Sequence, residues 1–238
     1  MKIGAVVLAA GSGSRMKSSV KKQYMEIGGK PLIYYTLKAF EKGPQEVTVL
    51  VTSPGDEEYC QKEIVEKYGL SSDIVICAGG AERYDSVYAG LMALPKDTDI
   101  VMIHDGARPF VNRQIMDRTV NAAAEYTAAV CGMPVKDTIK MADNEGFAAS
   151  TPDRKKLWMV QTPQTFSYPL IKSLYEKLEQ EKEVLIAHGL NITDDAMLVE
   201  TFSDKKVKLV EGSYDNIKIT TPEDIALAES LIDKYDMI

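Results

Sequence analysis

Tryptophan occurs once in this sequence, at Trp158, and histidine only twice, at His104 and His188. Cysteine is nearly as scarce. Cys60, Cys77 and Cys131 stand apart, with neither metal-ligand nor disulfide spacing. Each therefore reads as a small buried hydrophobe in a reducing, cytoplasmic compartment rather than as a working thiol. No apolar run approaches the roughly 20 residues that span a bilayer, so a membrane partner is not expected. The apolar N-terminal stretch runs directly into Gly11 and a charged segment without a separate cleavage region, and reads as a first strand rather than a leader. Positive charge is in deficit, with 28 Lys and Arg against 35 Asp and Glu and a net charge of −7. That balance argues against a protein that coats nucleic acid. An acidic chain binds a polyanion only where its few cations gather, so their placement is the informative feature.

What the 238 residues do have is alternation. Short β-branched runs at Ile3–Ala9, Glu46–Thr52, Asp73–Ala78, Ile100–His104 and Ala128–Pro134 are separated by helical patterns at Leu32–Phe40, Glu57–Tyr68, Tyr84–Leu94 and Arg113–Glu125. Wholly apolar strands such as Ala5-Val6-Val7-Leu8 require helices on both faces of their sheet. The pattern predicts an α/β fold with a doubly wound, mostly parallel, Rossmann-like sheet, whose ligands bind at the carboxyl ends of the strands. Residues 135–152 alternate polar and apolar around Asp143-Asn144-Glu145-Gly146 and read as a projecting β-hairpin, an arm that reaches to about residue 156. Beyond it come helices around Tyr168–Glu183 and Thr193–Glu200, a strand pair at Val207–Val210 and Ile217–Ile219, and a last helix opened by Thr221-Pro222-Glu223-Asp224. With no repeat, linker or low-complexity tract, one domain over 1–238 is the simplest organisation.

The run Ala10-Gly11-Ser12-Gly13-Ser14-Arg15 follows the first strand directly. Small residues let backbone approach an anion, and successive N–H groups can form an anion nest. Arg15, Lys17, Lys21 and Lys22 add cations over the same spot; a plain tight turn explains the glycines equally well. A Walker loop is excluded because Met16 stands where its second glycine should be, and a dinucleotide fingerprint lacks its third glycine there and its ribose-binding acid after Thr52. Lys22 is either functional or one of many solvated lysines.

Further constellations follow later strands. Gly79-Gly80-Ala81-Glu82-Arg83-Tyr84-Asp85-Ser86 fits a loop that admits a planar base, with Arg83 and Ser86 at its edge, or simply a helix N-terminus. His104-Asp105-Gly106-Ala107-Arg108 places an acid and an arginine where Mg²⁺ and phosphate oxygens are held, or where a surface ion pair caps a loop. His104 reads as a hydrogen-bonded core residue and His188 as a loop residue. Thr193-Asp194-Asp195-Ala196 reads as a helix cap. Lys218, alone in an apolar stretch, needs a partner or a ligand, unless it only protects a sheet edge.

Together these segments resemble the 2-C-methyl-D-erythritol 4-phosphate cytidylyltransferase family over essentially the whole chain. The most specific parts are Lys22-Gln23-Tyr24, Arg83-Tyr84-Asp85-Ser86-Val87, His104-Asp105-Gly106-Ala107-Arg108-Pro109, Trp158 with Gln161-Thr162-Pro163-Gln164, and Asp215-Asn216-Ile217-Lys218. The resemblance implies attack of a polyol phosphate on the α-phosphorus of CTP. Arg15 and Lys22 would stabilise the reacting phosphorus, and Arg154 and Lys218 would hold the incoming phosphate. Gly80, Arg83 and Ser86 would read cytosine, with backbone of Ala10, Gly11, Ser12, Gly13 and Ser14 along the triphosphate. Asp105, Arg108, Thr138 and Thr162 would line the substrate side, and Mg²⁺, carried mainly by the CTP phosphates, would lie near Asp105. The resemblance also implies a homodimer formed through the arm, with Thr138 and Arg154 acting in the neighbouring subunit's active site. Gly106 stands where many relatives have alanine and Asp195 where many have glutamate. The ribitol 5-phosphate cytidylyltransferases share the nucleotide half but carry Asn-Glu-Thr rather than Tyr84-Asp85-Ser86; a catalytically silent nucleotide sensor would not need Arg15, Lys22, Arg154 and Lys218 together. Pyrophosphate release should therefore require CTP rather than ATP or UTP, and should favour the methylerythritol phosphate over ribitol 5-phosphate.

Overall fold

The computed structural model describes residues 1–11, 20–71, 73–187, 189 and 192–235. The chain runs through β1 (Ile3–Ala9), the short pair β2 (Glu26–Ile27) and β3 (Lys30–Pro31), α1 (Leu32–Phe40), β4 (Val47–Thr52), α2 (Glu57–Tyr59), β5 (Ile74–Ala78), α3 (Arg83–Ala93), β6 (Ile100–Asp105), α4 (Arg113–Tyr126) and β7 (Ala128–Pro134). It continues through β8 (Met141–Ala142), β9 (Ala148–Ser150), β10 (Trp158–Ser167), α5 (Tyr168–Ala187), α6 (Ala196–Phe202), β11 (Lys208–Glu211) and α7 (Glu223–Tyr235).

Seven strands form one sheet in the order β11-β7-β10-β6-β1-β4-β5. All neighbours pair in parallel except β10, which is antiparallel to both β6 and β7. Alternate side chains of each strand serve opposite layers. Val7, Leu50 and Met102 pack with Leu32, Tyr35 and Phe40 of α1, Ile115 and Met116 of α4 and Ile232 of α7. Val6, Val49, Val101 and Ile103 pack with Val87 and Leu91 of α3, Ile171, Tyr175 and Leu178 of α5 and Leu198 of α6. Burial on both faces is why these strands read as unbroken apolar runs, and each fully buried aliphatic side chain contributes about 1.5–3 kcal/mol.

The chain leaves β1 for β4 and β5 on one side, then returns to place β6 on the other side of β1. That reversal opens a crevice at the carboxyl ends of β1 and β6. Register makes those ends level, since Leu8 lies opposite Asp105, Ala9 opposite Thr52, and Thr52 opposite Ala78.

Two expected elements differ from their sequence patterns. The helix expected over Glu57–Tyr68 becomes π-helical from Cys60 to Glu66, with Lys67 N donating to Lys62 O five residues back. Ile217–Ile219 is not a strand; one bond, Ile219 N to Ala107 O at 2.9 Å, ties that segment to the loop after β6. The arm does form, as the β8–β9 hairpin. Asp143 Oδ1 accepts from Glu145 N and Phe147 N, and Gly146 takes a positive φ of 87°. Val135 N to Leu157 O, at 3.0 Å, and the Trp158–Pro134 pairing close its base.

At Gly132 the neighbouring β10 passes so close that a Cβ would meet Met159 O at 2.7 Å. Gly132→Ala should therefore lower stability by about 1–3 kcal/mol, read as a lower urea midpoint with an unchanged denaturant slope.

Candidate active site

A cleft of about 560 Å³ lies at the crevice. Its walls are the end of β1 with Ala10 and Gly11, the Lys22–Gln23 turn, the Gly80–Arg83 loop with Ser86, and Asp105, Ala107, Lys218 and Thr220. Sequence-distant segments meet here because they follow level strand ends. Of the expected triphosphate loop, Ala10 and Gly11 line the cleft, whereas Ser12, Gly13, Ser14 and Arg15 lie outside the described residues.

Lys22 opens a single 3-10 turn, Lys22–Tyr24. Buried Gln23 donates to Ala9 O at 2.7 Å, bolting that turn to the end of β1. Lys21 turns to Asp56 at 2.6 Å, and Tyr24 donates to the same carboxylate at 3.0 Å. Across the cleft, Ser86 accepts from Gly80 N and donates to Glu82 O, both at 3.2 Å. Glu82 and Asp85 form a reciprocal capping box at the start of α3. This segment is thus a capped helix start that also walls the cleft.

Asp105 is the centre of charge. Lys218 Nζ is 2.9 Å from it, Arg108 Nε 3.6 Å and Arg83 Nε 3.7 Å. Burial alone would raise its pKa, but Arg83, Lys218 and Arg108 hold it well below the usual carboxylate range. Lys218 therefore has the partner its isolation demanded. Arg108 also donates to Asn216 O at 2.9 Å, which ties the Lys218 segment to the end of β6.

The remaining expected site residues are placed as follows. Thr162 is not among the residues that line the cleft. It is buried behind Asp105, accepting from Asp105 N at 3.1 Å and engaging His104 Nδ1 at 3.0 Å. Arg83 does not offer its guanidinium fork to a base, because both terminal nitrogens bind Asp195 at 2.8 and 2.7 Å. Thr138 and Arg154 are exposed on the arm, outside the cleft lining, with Arg154 donating to Lys136 O.

His104 is fully buried, with Nε2 3.0 Å from Arg108 O. A carbonyl only accepts, so Nε2 carries the proton and Thr162 donates to Nδ1. Burial pushes the ring down to about 4, which agrees with a structural histidine. The cysteines agree as well, since burial raises Cys60, Cys77 to about 11 and Cys131 to about 12. Among the described residues no cluster of three metal-ligating side chains exists and no helix is long and apolar enough to cross a membrane.

Asp195, absent from the expected site, was masked by its surroundings: a Thr-Asp-Asp helix start is explained once Asp194 caps Met197 N. The signal available was the second acid, which that cap does not use.

A mostly parallel sheet with a glycine-walled, cation-rich cleft at its switch point defines a Rossmann-like nucleotidyltransferase. The model of the 2-C-methyl-D-erythritol 4-phosphate cytidylyltransferase family matches residues 3–234. A relative of that name from Caldanaerobacter subterraneus is 47% identical, covering 98% of this chain and 100% of its own. One from Pelotomaculum thermopropionicum is 46% identical, over 97% and 94% of the two chains. The solved 4-diphosphocytidyl-2C-methyl-D-erythritol synthase of Anaerococcus prevotii superposes with a TM-score of 0.83 at 36% identity, covering 98% of this chain and 96% of its own. The Thermus thermophilus cytidylyltransferase gives 0.77 at 31%, over 98% and 100%. The chain belongs to the 2-C-methyl-D-erythritol 4-phosphate cytidylyltransferase family.

Histidine and aspartate titration should separate in stability measurements. The folded pKa of His104, about 4, lies below its ordinary 6.5, so the unfolded chain takes up a proton that the fold refuses. Stability should fall by about 3 kcal/mol as pH drops from 6.5 to 4. Asp105, also depressed, stabilises above its ordinary 3.8, and its share is lost only as pH falls further. Urea unfolding that is flat between pH 6.5 and 4.5 would rule out a neutral, buried His104.

Proposed function

We propose that this cleft carries out the family reaction by positioning and charge stabilisation, without a covalent enzyme intermediate. The activity is transfer of the cytidylyl group of CTP to 2-C-methyl-D-erythritol 4-phosphate in isoprenoid biosynthesis. The observation that carries the residue assignment is the meeting of Lys22, Gly80, Arg83, Ser86, Asp105 and Lys218 around one cavity.

In this reading the chain is one cytoplasmic domain with an arm. Ala10 through Ser14 lie along the triphosphate, and Gly80 with Ser86 supplies polar edges to cytosine beside the Arg83 wall. Lys22 and Arg15 would stabilise the α-phosphorus, where negative charge grows as the substrate phosphate oxygen adds and pyrophosphate leaves. Lys218 and Arg154 hold the incoming phosphate, with Asp105 and Arg108 on the polyol side. The donor set fits Mg²⁺ only as an ion brought in by phosphates. Among the described residues that line the cleft, Asp105 is the buried carboxylate, and three cations already face it. Such an ion would neutralise phosphate charge; Asp105 is the protein group available to it.

Arg154 and Thr138 are exposed and do not line the cleft of their own chain, which supports a homodimer in which they enter the neighbouring subunit's cleft. The hairpin leaves Met141 58% and Phe147 68% exposed, an apolar tip suited to a partner surface.

Lys22→Ala should lower kcat by about 10²–10³-fold, whereas Arg154→Ala should raise KM for the polyol phosphate more than KM for CTP. Mixed after subunit exchange, the two variants should regain activity through hybrid dimers carrying one intact cleft. Exchange without recovery would eliminate the shared cleft.

A further inference from the structure

Asp195 is fully buried, yet it is one of the most heavily engaged carboxylates in the molecule. Arg83 binds it with both terminal nitrogens, and Tyr175, itself fully buried on α5, donates to its Oδ1 at 2.5 Å. Its backbone is fixed as firmly. The N–H groups of Asp195 and Ala196 both donate to Gln164 Oε1, at 3.0 and 2.9 Å, and Gln164 Nε2 donates to Asp194 Oδ2. Gln164 sits in β10 opposite Ile103 of β6 and Val130 of β7, in the middle of the sheet. The turn before α6 is thus bolted to the sheet, and the carboxylate it presents is bolted to Arg83.

That anchor decides where the guanidinium stands. Arg83 opens α3 beside the Gly80 wall, and with its fork held by Asp195 only its Nε side faces Asp105, at 3.7 Å. Without Asp195 nothing described would keep the fork from swinging onto Asp105, the nearest remaining carboxylate, where Lys218 already sits at 2.9 Å. A bidentate carboxylate fixes a guanidinium in plane and direction as a single contact cannot. We propose that Asp195 is a positioning residue: through its fork on Arg83, and with Tyr175 and Gln164 behind it, it sets the cleft wall against which the nucleotide packs. This rests on the reading of the Gly80–Ser86 wall as the nucleotide side.

Asp195→Asn keeps the shape and removes the charge. Measured well below its unfolding temperature, this variant should raise KM for CTP about tenfold. Tyr175→Phe, which leaves both charges in place, should shift KM for CTP in the same direction by a smaller factor and serves if the first variant does not fold. Arg83→Gln should raise KM for CTP as well, and the double variant Arg83→Gln with Asp195→Asn should be no worse than Arg83→Gln alone. A lowered unfolding temperature with unchanged KM for CTP in Asp195→Asn and Tyr175→Phe would reduce Asp195 to a structural role and overturn the inference. Arg83→Gln with unchanged KM for CTP would overturn the nucleotide-side reading and the inference with it, so the two failures are told apart by which variant is silent.

Discussion

Removing a carboxylate from water at the end of a buried strand is costly unless opposite charge and hydrogen bonds come with it. Asp105 meets that condition by drawing Lys218, Arg108 and Arg83 towards one point. Each cation arrives on a different segment, so the cleft cannot assemble unless the C-terminal stretch, the loop after β6 and the start of α3 are all in place. The same neutralisation leaves a surplus of positive charge around the carboxylate, which is what a site for several phosphate groups requires.

Behind Asp105 lies a second, buried polar layer. Thr162 holds the Asp105 backbone and the His104 ring at once, Asn216 donates to Thr162 O, and Gln161 reaches Ser213 O. This layer belongs to β10, the one antiparallel strand of the large sheet. Its polar residues are buried in pairs with each other and with backbone, so the floor of the cleft is held by directional bonds rather than by apolar packing alone.

The strand ends and first helices were legible because both signals are local. Ile3–Ala9 and Leu32–Phe40 are read directly from continuous and periodic apolar residues. Lys218 was legible for the opposite reason, as a charge with no local excuse. The buried bonds of Thr162 and Asp195 were not. A threonine beside a proline and an acid in a capping sequence both have sufficient neighbourhood explanations, and their partners, His104 and Arg83, are 58 and 112 residues away. The strand at Ile217–Ile219 failed similarly: its apolar alternation is real, but the residues serve to carry Lys218 past Ala107 instead of pairing in a ladder.

The pairing of Trp158 with Pro134 has an evolutionary consequence. Everything between these two residues leaves the sheet and returns to the same rung. Lengthening or shortening such an excursion changes the closure entropy only logarithmically and leaves the register of β10 against β6 untouched. Lineages can therefore remodel the hairpin, by insertion or deletion, while inheriting an unaltered floor; the chemistry and the reach of the arm are free to diverge at different rates.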